Sequence, residues 1–584
     1  PISPPSPLGP CIYLSTLFST VPCNTMATTA PVVSTSAKTT TTGLTSHLSH
    51  SHAGWSSVYT QGGILTEAQS VIASIFVNGE FYYPDTVKGN VKHVSDLTRG
   101  NKRGRDGTLS AGDSHAPAPP TIATFDPATG LEYGRLVNAG AAEVDAAVCA
   151  AKAAGPAWAR TSRADRAALL NRLADLIDEH AEALAAAEAR DCGKSVSFAR
   201  SVDMARSAVN CRFFAAQVTT MAEGMSSDLD HDTRSWTSVM PVGVVGAIVP
   251  WNIPLYLLTW KVAPAVAYGN TIVLKPAEFT SITAVMFAGL VRQAGFPPGV
   301  FNLVTGTGAS AGAPLAAHPS VSLITFTGGT VTGAKVAMAA APTFKKVSLE
   351  LGGKNATIVF ADANMDAAVA GASTAAFANQ GEICLCGSRI LVEASVHDEF
   401  VRRFVEQVRT SWRVGDPLSP TTNMGALVDA GHLEKVRRLL AVGIEEGATV
   451  AYDGADCLQP GLDSNGYYFT PHVLTNVTPT STLFTTEVFG PVVTITPFSS
   501  YDEALALTNS SRYGLACSVW SESLSRTSAF ARDVEVGLCW INCWMVRDLR
   551  FPFGGVKESG VGREGGVSAI ECYTEVKTCV QRIV

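Results

Sequence analysis

The pattern of the sequence changes after Pro241, and this change limits the possible folds more than any other feature. From there, short runs rich in Val and Ile alternate with helical stretches and Gly-rich turns. The runs are VGVVGAIV, TIVLK, FNLV, LITF, KVSLEL and ATIVF, all far shorter than the ~20 residues of a membrane span. Continuous apolar runs separated by helices are typical of parallel strands buried on both faces. We therefore predict an α/β fold in which helices are wound around a parallel sheet.

Two other patterns precede Pro241. The segment SIFVNGEFYY (Ser74–Tyr82) is typical of a hairpin that turns at Asn78-Gly79. Between Ala139 and Val218 the apolar residues recur at helical spacing, as in Leu169, Leu170, Leu173, Leu176 and Ile177. This part of the chain should supply a hairpin and several amphipathic helices.

The first 66 residues contain no Asp or Glu and are dense in Ser, Thr and Pro. Such a segment buries too little apolar surface to offset its ordering entropy, so we predict that it is disordered. A mitochondrial transit peptide is the alternative, but these are Arg-rich and the first arginine here is Arg99. The polar stretch from Pro84 to Pro120 is interpreted as a solvated loop, with a basic localisation patch as the alternative.

Bulk composition narrows the partners and the compartment. The 584 residues are 46% hydrophobic and carry a net charge of −7 without an obvious basic face, so no nucleic-acid partner is expected. The 13 cysteines are odd in number and scattered, which favours reduced thiols in a reducing compartment such as the cytoplasm. Cys384-x-Cys386 lacks the spacing and the partner pair of a zinc site, so no metal is expected.

Two Gly-rich segments are candidates for binding phosphate. GTGASAG, with Gly308 near its centre, and FTGGTVTG, with Gly328 and Gly329, each follow a predicted strand and open a predicted helix. Helix N-termini offer free N–H groups and a positive dipole end to a pyrophosphate. Neither segment has the G-x-G-x-x-G spacing, so tight turns are the alternative.

Charged residues at two strand ends are further candidates. The strand TIVLK ends at Lys275, and the carboxylate of Glu278, three residues later, could accept hydrogen bonds from ribose hydroxyls. LELGGK puts Glu350 in an apolar strand, where burial would raise its pKa toward the range of a general base. An exposed loop charge and a structural glutamate are the respective alternatives.

The stretch FANQGEICLCGSRI carries two cysteines one residue apart. Cys384 follows Gly381 in a turn-prone segment, and a cysteine at a helix N-terminus would have its thiolate favoured by the dipole. A buried structural cysteine is the alternative for either residue.

Taken in order, six segments resemble the aldehyde dehydrogenase superfamily. They are PWNIPLYLLTWKVAPAVAYGNTIVLKPAE, FTGG, LELGGK, NQGEICLCGSR, TTEVFGPVV and PFGGVKESGVGREGG, and the likeness covers roughly Phe76 to Lys577. The resemblance implies that Cys384 attacks an aldehyde carbonyl. Asn252 and the Cys384 N–H would stabilise the oxyanion, and Glu350 would activate the water that hydrolyses the thioester.

The same resemblance implies NAD as the cofactor. The residues it assigns to the cofactor are Pro250, Trp251, Lys275, Glu278, Gly308, Gly328, Gly329, Glu487 and Phe489. One position departs from the commonest family pattern, because Glu382 stands where many members carry Gln. Cys386 has no assigned chemistry and is interpreted as a packing residue.

Two segments, GEICLCGSR and NCWMVRDLRFPFGG, are similar to the 2-aminomuconic and 2-hydroxymuconic semialdehyde dehydrogenases within this superfamily. Those substrates carry a carboxylate, so the tunnel needs a cation, and arginine suits bidentate carboxylate binding. The substrate-binding candidates are Arg206, Arg547, Arg550 and Phe553. A structural ion pair, for instance with Asp548, is the alternative for each arginine.

The implied fold has three parts besides a disordered extension of residues 1–75. Residues 76–220 and 241–351 would form the NAD-binding domain, and residues 352–570 the catalytic domain. Residues 221–240 and 571–584 would form a small antiparallel arm that builds a homodimer or homotetramer.

The function that follows is the NAD-dependent oxidation of a muconic-type semialdehyde to its acid. Oxidation of another small aldehyde, or broad specificity, is the first alternative. A CoA-acylating enzyme would not need Glu350 as a hydrolytic base, and a catalytically silent protein would not need Asn252, Glu350 and Cys384 together. No membrane partner is expected.

Overall fold

The computed structural model describes residues 75–82, 92–93, 96, 121–221 and 224–583. The disorder predicted for residues 1–66 lies outside the described residues, as does nearly all of the loop predicted between Pro84 and Pro120. Strand structure begins at Ile75, the last position of the predicted extension. None of the helices in these described ranges is both long and apolar enough to cross a membrane.

The strands of the described chain are short, and the six apolar runs predicted after Pro241 correspond to the six consecutive strands from Val244–Ile248 to Ala356–Val359. In chain order they are β1 (Ile75–Val77), β2 (Glu80–Tyr82), β3 (Thr121–Asp126), β4 (Leu131–Val137), β5 (Ser226–Asp230), β6 (Thr233–Pro241), β7 (Val244–Ile248), β8 (Thr271–Lys275), β9 (Phe301–Val304), β10 (Leu323–Thr327), β11 (Lys346–Glu350), β12 (Ala356–Val359), β13 (Arg389–Glu393), β14 (Thr449–Tyr452), β15 (His472–Thr475), β16 (Val492–Phe498), β17 (Tyr513–Gly514), β18 (Ala516–Trp520), β19 (Leu538–Ile541), β20 (Val556–Lys557), β21 (Gly560–Val561) and β22 (Thr574–Arg582).

The helical periodicity predicted between Ala139 and Val218 is confirmed by the first four of the longer helices. They are Ala141–Arg160, Arg163–Glu179, Ala181–Cys192, Ala205–Thr220, Pro254–Ala267, Ile282–Ala294, Thr330–Ala340, Met365–Phe377, His397–Ser411, Ala430–Glu445, Tyr501–Asn509, Leu524–Asp533 and Gly566–Tyr573. Shorter helical turns are Val196–Phe198, Ala313–Ala317 and Thr482–Thr485, with π-helical turns at Ala199–Met204 and Gly308–Gly312. In the Arg163–Glu179 helix, Leu170, Leu173 and Ile177 are fully buried, and the Ser162 hydroxyl caps the first turn.

The first large sheet has the order β2-β1-β9-β8-β7-β10-β11-β21. Its five central strands are parallel, while the hairpin β1–β2 and the short β21 are antiparallel edges. The predicted hairpin is confirmed, because Asn78 and Gly79 both have positive φ between the paired strands. β21 comes from the C-terminal part of the chain and pairs Gly560 with Glu350.

The second large sheet has the order β14-β15-β16-β13-β12-β18-β19, and only its edge strand β14 is antiparallel. The predicted parallel-sheet α/β class is therefore confirmed. A third sheet, β22-β6-β5, is antiparallel throughout and uses the segments predicted for the arm. The domain boundaries themselves stay a prediction, and β21 shows that residues of the 352–570 segment also complete the first sheet.

Candidate active site

The candidate residues gather at one edge of the first sheet. β8, β7, β10 and β11 are neighbouring parallel strands, so their carboxyl ends meet at the same edge. Lys275 ends β8, Pro250–Asn252 follow β7, Gly328 and Gly329 follow β10, and Glu350 ends β11. Ligands of open α/β sheets bind beyond the carboxyl ends of the strands. The topology therefore collects residues that lie far apart in the sequence.

Two of the glycines leave open space where a ligand could approach the backbone. A Cβ atom added to Gly308 or to Gly329 would meet no heavy atom within 4 Å. Gly329 is the N-cap of the Thr330–Ala340 helix, whose first N–H groups lack intrahelical partners. Gly328 differs, because its N–H donates to the Glu350 carbonyl at 3.0 Å and an added Cβ would strike the Phe326 ring.

Lys275 and Glu278 form an ion pair, with 3.0 Å between Nζ and Oε2. Partial burial opposes ionisation of Glu278, but Lys275 and the Gly308 N–H favour it more strongly, so its pKa lies below the usual value. The result is a charged carboxylate beside Gly308, able to accept hydrogen bonds from sugar hydroxyls.

An aromatic cluster lies beyond β7. The Trp251 and Phe489 rings meet edge to face, with 5.3 Å between their centroids. Phe489 has a φ of 60°, and its carbonyl accepts a hydrogen bond from His432 Nε2 at 2.7 Å. The Glu487 carboxylate accepts a hydrogen bond from the Gly353 N–H at 2.8 Å, although its burial raises its pKa. These contacts fix the aromatic ring and the carboxylate assigned to the nicotinamide side.

A narrow cavity brings the nucleophile and the base candidates together. Cys384 and Glu350 both line it, along with Arg547 and Phe553. The remaining lining residues are Ile253, Tyr256, Leu257, Trp260, Thr327, Ile383, Leu385, Met545 and Glu564. Apart from the charged groups and two hydroxyls the wall is apolar or aromatic, so a ligand that enters loses most of its water.

The loop before Cys384 has an unusual backbone. Asn379, Gln380 and Gly381 all have left-handed φ angles, of 51°, 57° and 73°. An added Cβ at Gly381 would lie 2.4 Å from the Gly490 carbonyl oxygen, so only glycine fits there. Asn379 Nδ2 donates to the carbonyls of Asn252 and Glu382, which holds the loop in this conformation.

Asn252 is held against the same loop. Its side-chain Nδ2 donates to the Glu382 carbonyl at 2.8 Å, which leaves the second N–H of the amide without an acceptor among the described residues. The backbone N–H of Cys384 likewise donates to no acceptor in the described part of the chain. These two N–H groups are the free donors that an oxyanion beside Cys384 would need.

The predicted helix N-terminus at Cys384 is wrong. The Met365–Phe377 helix ends before the loop, and Cys384 lies in a turn that leads to β13. Burial, and then the neighbouring carboxylates Glu350 and Glu487, raise the pKa of the Cys384 thiol. Without a helix dipole to favour the thiolate, the thiol must lose its proton when it reacts.

Glu350 is a buried carboxyl group without a full set of partners. Its Oε1 atom has no hydrogen-bond partner, and its pKa is raised well above the usual value by burial and then by Glu564. Glu564 is itself buried and pairs with Lys261, with 2.8 Å between Oε1 and Nζ. This pair was not predicted from the sequence, because Lys261 lies inside the apolar Pro254–Ala267 helix.

The three arginine candidates have different surroundings. Arg547 lines the cavity, and its guanidinium stacks 4.0 Å from the centre of the Phe553 ring. Arg206 is not among the lining residues, but its guanidinium carbon lies 5.9 Å from the centre of the ring of Tyr256, which lines the cavity. Arg550 is not brought to the cavity. Its side chain is 78% exposed and makes a bidentate pair with Asp548, the alternative that the sequence left open.

Asn355 is a further residue that the sequence analysis missed. Its Nδ2 donates to the carbonyls of Cys384 and Cys386 at 2.7 and 3.0 Å, and its Oδ1 accepts from the Ala516 N–H. It directly follows LELGGK, which was the only available signal. Cys386 itself is buried among Ile383 and other apolar side chains, and burial raises its pKa to about 12.

Known proteins are similar to this chain in sequence and in fold. Residues 115–579 match the family model described as "Aldehyde dehydrogenase family". The 2-aminomuconic semialdehyde dehydrogenase of Danio rerio is 49% identical over 470 residues, which cover 80% of this chain and 96% of that protein. The 2-hydroxymuconic semialdehyde dehydrogenase of Pseudomonas sp. (strain CF600) is 43% identical over 468 residues, which cover 79% of this chain and 96% of that protein. The NAD+ complex of an aldehyde dehydrogenase from Bacillus cereus is similar with a TM-score of 0.78 at 37% identity, covering 88% of this chain and 97% of that one.

Proposed function

Because this chain belongs to the aldehyde dehydrogenase family, we propose that it oxidises a muconic-type semialdehyde to the acid, with NAD as its cofactor. The 2-aminomuconic and 2-hydroxymuconic semialdehyde dehydrogenases described above are 49% and 43% identical to this chain. The proposal assigns Cys384 as the nucleophile, Asn252 as the oxyanion donor and Glu350 as the hydrolytic base.

The residues at the sheet edge fit NAD. Open space at Gly308 and Gly329 admits a pyrophosphate to backbone N–H groups, and the Glu278 carboxylate can accept from the ribose hydroxyls. Trp251 and Phe489 offer an apolar wall for the nicotinamide ring. When bound, NAD supplies the acceptor for the hydride that leaves the substrate.

The chain's own residues account for the remaining chemistry. Cys384 adds to the aldehyde carbon, and the Asn252 amide and the Cys384 N–H donate to the oxygen that becomes negative. After oxidation the acyl group is held as a thioester. Glu350 then takes a proton from water, which attacks the thioester and frees the acid. Its raised pKa, which results from burial and Glu564, suits that role.

One observation carries the substrate assignment. Arg547 lines the reaction cavity, yet no carboxylate of the described residues lies within ion-pair distance of its guanidinium. Its contacts are the Tyr256 hydroxyl and the rings of Phe553 and Trp260. Glu350 and Glu564 line the same cavity, but neither forms an ion pair with Arg547. The guanidinium is held by aromatic groups and has no directly bound carboxylate, and a substrate carboxylate would supply one.

We expect Arg547→Ala to lower kcat/KM by about 10- to 150-fold for an aldehyde that carries a carboxylate. The loss should fall on KM, because a carboxylate far from the carbonyl is bound alike in the ground and transition states. Steady-state kinetics with 6-oxohexanoate and with hexanal, which differ in the terminal carboxylate, measure this directly. The kcat/KM value for hexanal should change little in this variant.

Arg550→Ala is the matched control. It removes an arginine three positions away that is exposed and already paired with Asp548, so it should leave the preference unchanged. Arg206→Ala should give a smaller loss than Arg547→Ala, because Arg206 is not among the lining residues of the cavity. If none of these variants distinguishes 6-oxohexanoate from hexanal, the acidic-semialdehyde proposal fails and another small aldehyde is the substrate.

A preference for NAD over NADP is also expected. The charged Glu278 would accept hydrogen bonds from the 2′-hydroxyl but would repel a 2′-phosphate. Replacing Glu278 with Ser should narrow the ratio of kcat/KM values for the two cofactors by roughly tenfold, since each 1.4 kcal/mol is tenfold. Equal values for both cofactors in the unmodified protein would contradict this assignment.

The arm sheet is the proposed site of oligomer formation. Strand β22 is an edge of the arm sheet and exposes the apolar side chains of Val576 and Val580. Covering them in a homodimer or homotetramer would remove that edge from solvent. Light scattering that gave a monomer would exclude this assembly.

We place the enzyme in the cytoplasm because its cysteines are scattered and odd in number, which favours reduced thiols. Fractionation with the mitochondria would contradict that placement.

A further inference from the structure

We propose that the Tyr256 hydroxyl is a second donor to the substrate carboxylate, beside the guanidinium of Arg547. The inference rests on the proposed function, which supplies an anionic substrate, and it names a specificity residue that the sequence motifs did not indicate. Tyr256 lies in the first turns of the Pro254–Ala267 helix and lines the cavity that contains Cys384.

The direction of one hydrogen bond carries the argument. Arg547 Nη1 lies 2.8 Å from the Tyr256 hydroxyl oxygen. A guanidinium has only donors, so the tyrosine oxygen must be the acceptor. The hydrogen of the Tyr256 hydroxyl is therefore directed elsewhere, and no described residue accepts it.

Such a donor should have a partner. Tyr256 is only 2% exposed, and buried tyrosine hydroxyls usually donate to an acceptor. The neighbouring side chains of Trp260, Phe553 and Met545 offer no oxygen acceptor. Glu350, Glu564 and Thr327 also line the cavity, but no hydrogen bond joins the Tyr256 hydroxyl to any of these three. One acceptor in the cavity could take the hydroxyl hydrogen of Tyr256 and also accept a hydrogen bond from Arg547.

The neighbouring charges identify that acceptor as an anion. The Tyr256 oxygen touches one arginine, and its ring lies 5.9 Å from the guanidinium carbon of a second, Arg206. Neither arginine pairs with a carboxylate within the described ranges. One cation bonded to the hydroxyl and a second beside the ring of the same tyrosine favour a carboxylate over a neutral carbonyl oxygen. A planar carboxylate can accept from the guanidinium with one oxygen and from the hydroxyl with the other.

The test is Tyr256→Phe, which removes the hydroxyl and keeps the ring that packs beneath Arg206. We expect KM for 6-oxohexanoate to rise about tenfold with little change in kcat, while hexanal changes less than about twofold. A binding readout without turnover should agree. Hexanedioate should protect Cys384 from alkylation by iodoacetamide, and half-protection should need about tenfold more hexanedioate in the variant.

Tyr268→Phe is the matched control. It also removes a buried hydroxyl that makes one hydrogen bond, to Gln217 Oε1 at 2.8 Å, but it lies outside the cavity lining. It should leave the kinetics of both aldehydes unchanged. A double variant, Tyr256→Phe with Arg547→Ala, separates a ligand contact from a purely positioning role. A direct donor predicts that the double variant binds hexanedioate more weakly than Arg547→Ala alone.

Three results would overturn the inference. They are an unchanged KM for 6-oxohexanoate in Tyr256→Phe, an equal loss on both aldehydes, and a double variant that matches Arg547→Ala. The proposed function fails separately: in that case the unmodified enzyme itself would show no preference for 6-oxohexanoate over hexanal. If Tyr256→Phe prefers 6-oxohexanoate over hexanal as strongly as the unmodified enzyme does, only the role of the tyrosine is rejected.

Discussion

Cys384→Ala is expected to lower turnover by about 10⁴-fold or more, because no other group can form the thioester. Cys386→Ala should keep most of the activity. Its thiol is buried among Ile383, Leu385 and other apolar side chains, and its weak contact is to the Ala378 carbonyl. Steady-state production of reduced cofactor measures both variants.

Stability measurements provide the control for this pair. Cys386→Ala removes buried volume and should lower the free energy of unfolding by about 1 kcal/mol, whereas the less buried Cys384 should respond less. If Cys386→Ala were inactive although folded, and Cys384→Ala were active, the nucleophile would be misassigned. Thermal unfolding of both variants would show that neither result comes from a lost fold.

Glu350→Gln is expected to block thioester hydrolysis far more than oxidation. The amide keeps the shape of the side chain but cannot take a proton from water. Mixing enzyme with aldehyde and NAD should therefore release about one equivalent of reduced cofactor per site, followed by a steady state slower by about 10²- to 10⁴-fold. Rapid-mixing absorbance would resolve the two phases.

The pH dependence of the unmodified enzyme provides a second check. Burial and Glu564 raise the pKa of Glu350, and a general base must be deprotonated to act. Steady-state hydrolysis should therefore increase with pH through that raised pKa, and Glu350→Gln should lose this increase. A first turnover slowed as much as the steady state, without a burst, would contradict the assigned role.

Local patterns were enough to predict much of the fold. The apolar runs after Pro241 became the buried parallel strands of two sheets, since such runs are stable only when both faces are covered. The hairpin at Asn78-Gly79 was also predictable, because its turn depends on residues that tolerate positive φ. The order of the strands was not predictable, since it depends on contacts between distant segments.

The amino-acid sequence alone was enough to name the chemical groups of the site: a cysteine loop, a glutamate in an apolar strand, an asparagine after a strand and several arginines. Which of these groups meet depends on the folded chain. In the folded chain, Glu350 lies near the Lys261–Glu564 pair, and Arg550 pairs with Asp548 at the surface. Cys384 lies in a turn and not at the predicted helix N-terminus. The physical reason is that periodicity and turn propensity act between neighbours in the chain, whereas pKa values, unpaired charges and cavity walls depend on burial among residues hundreds of positions apart.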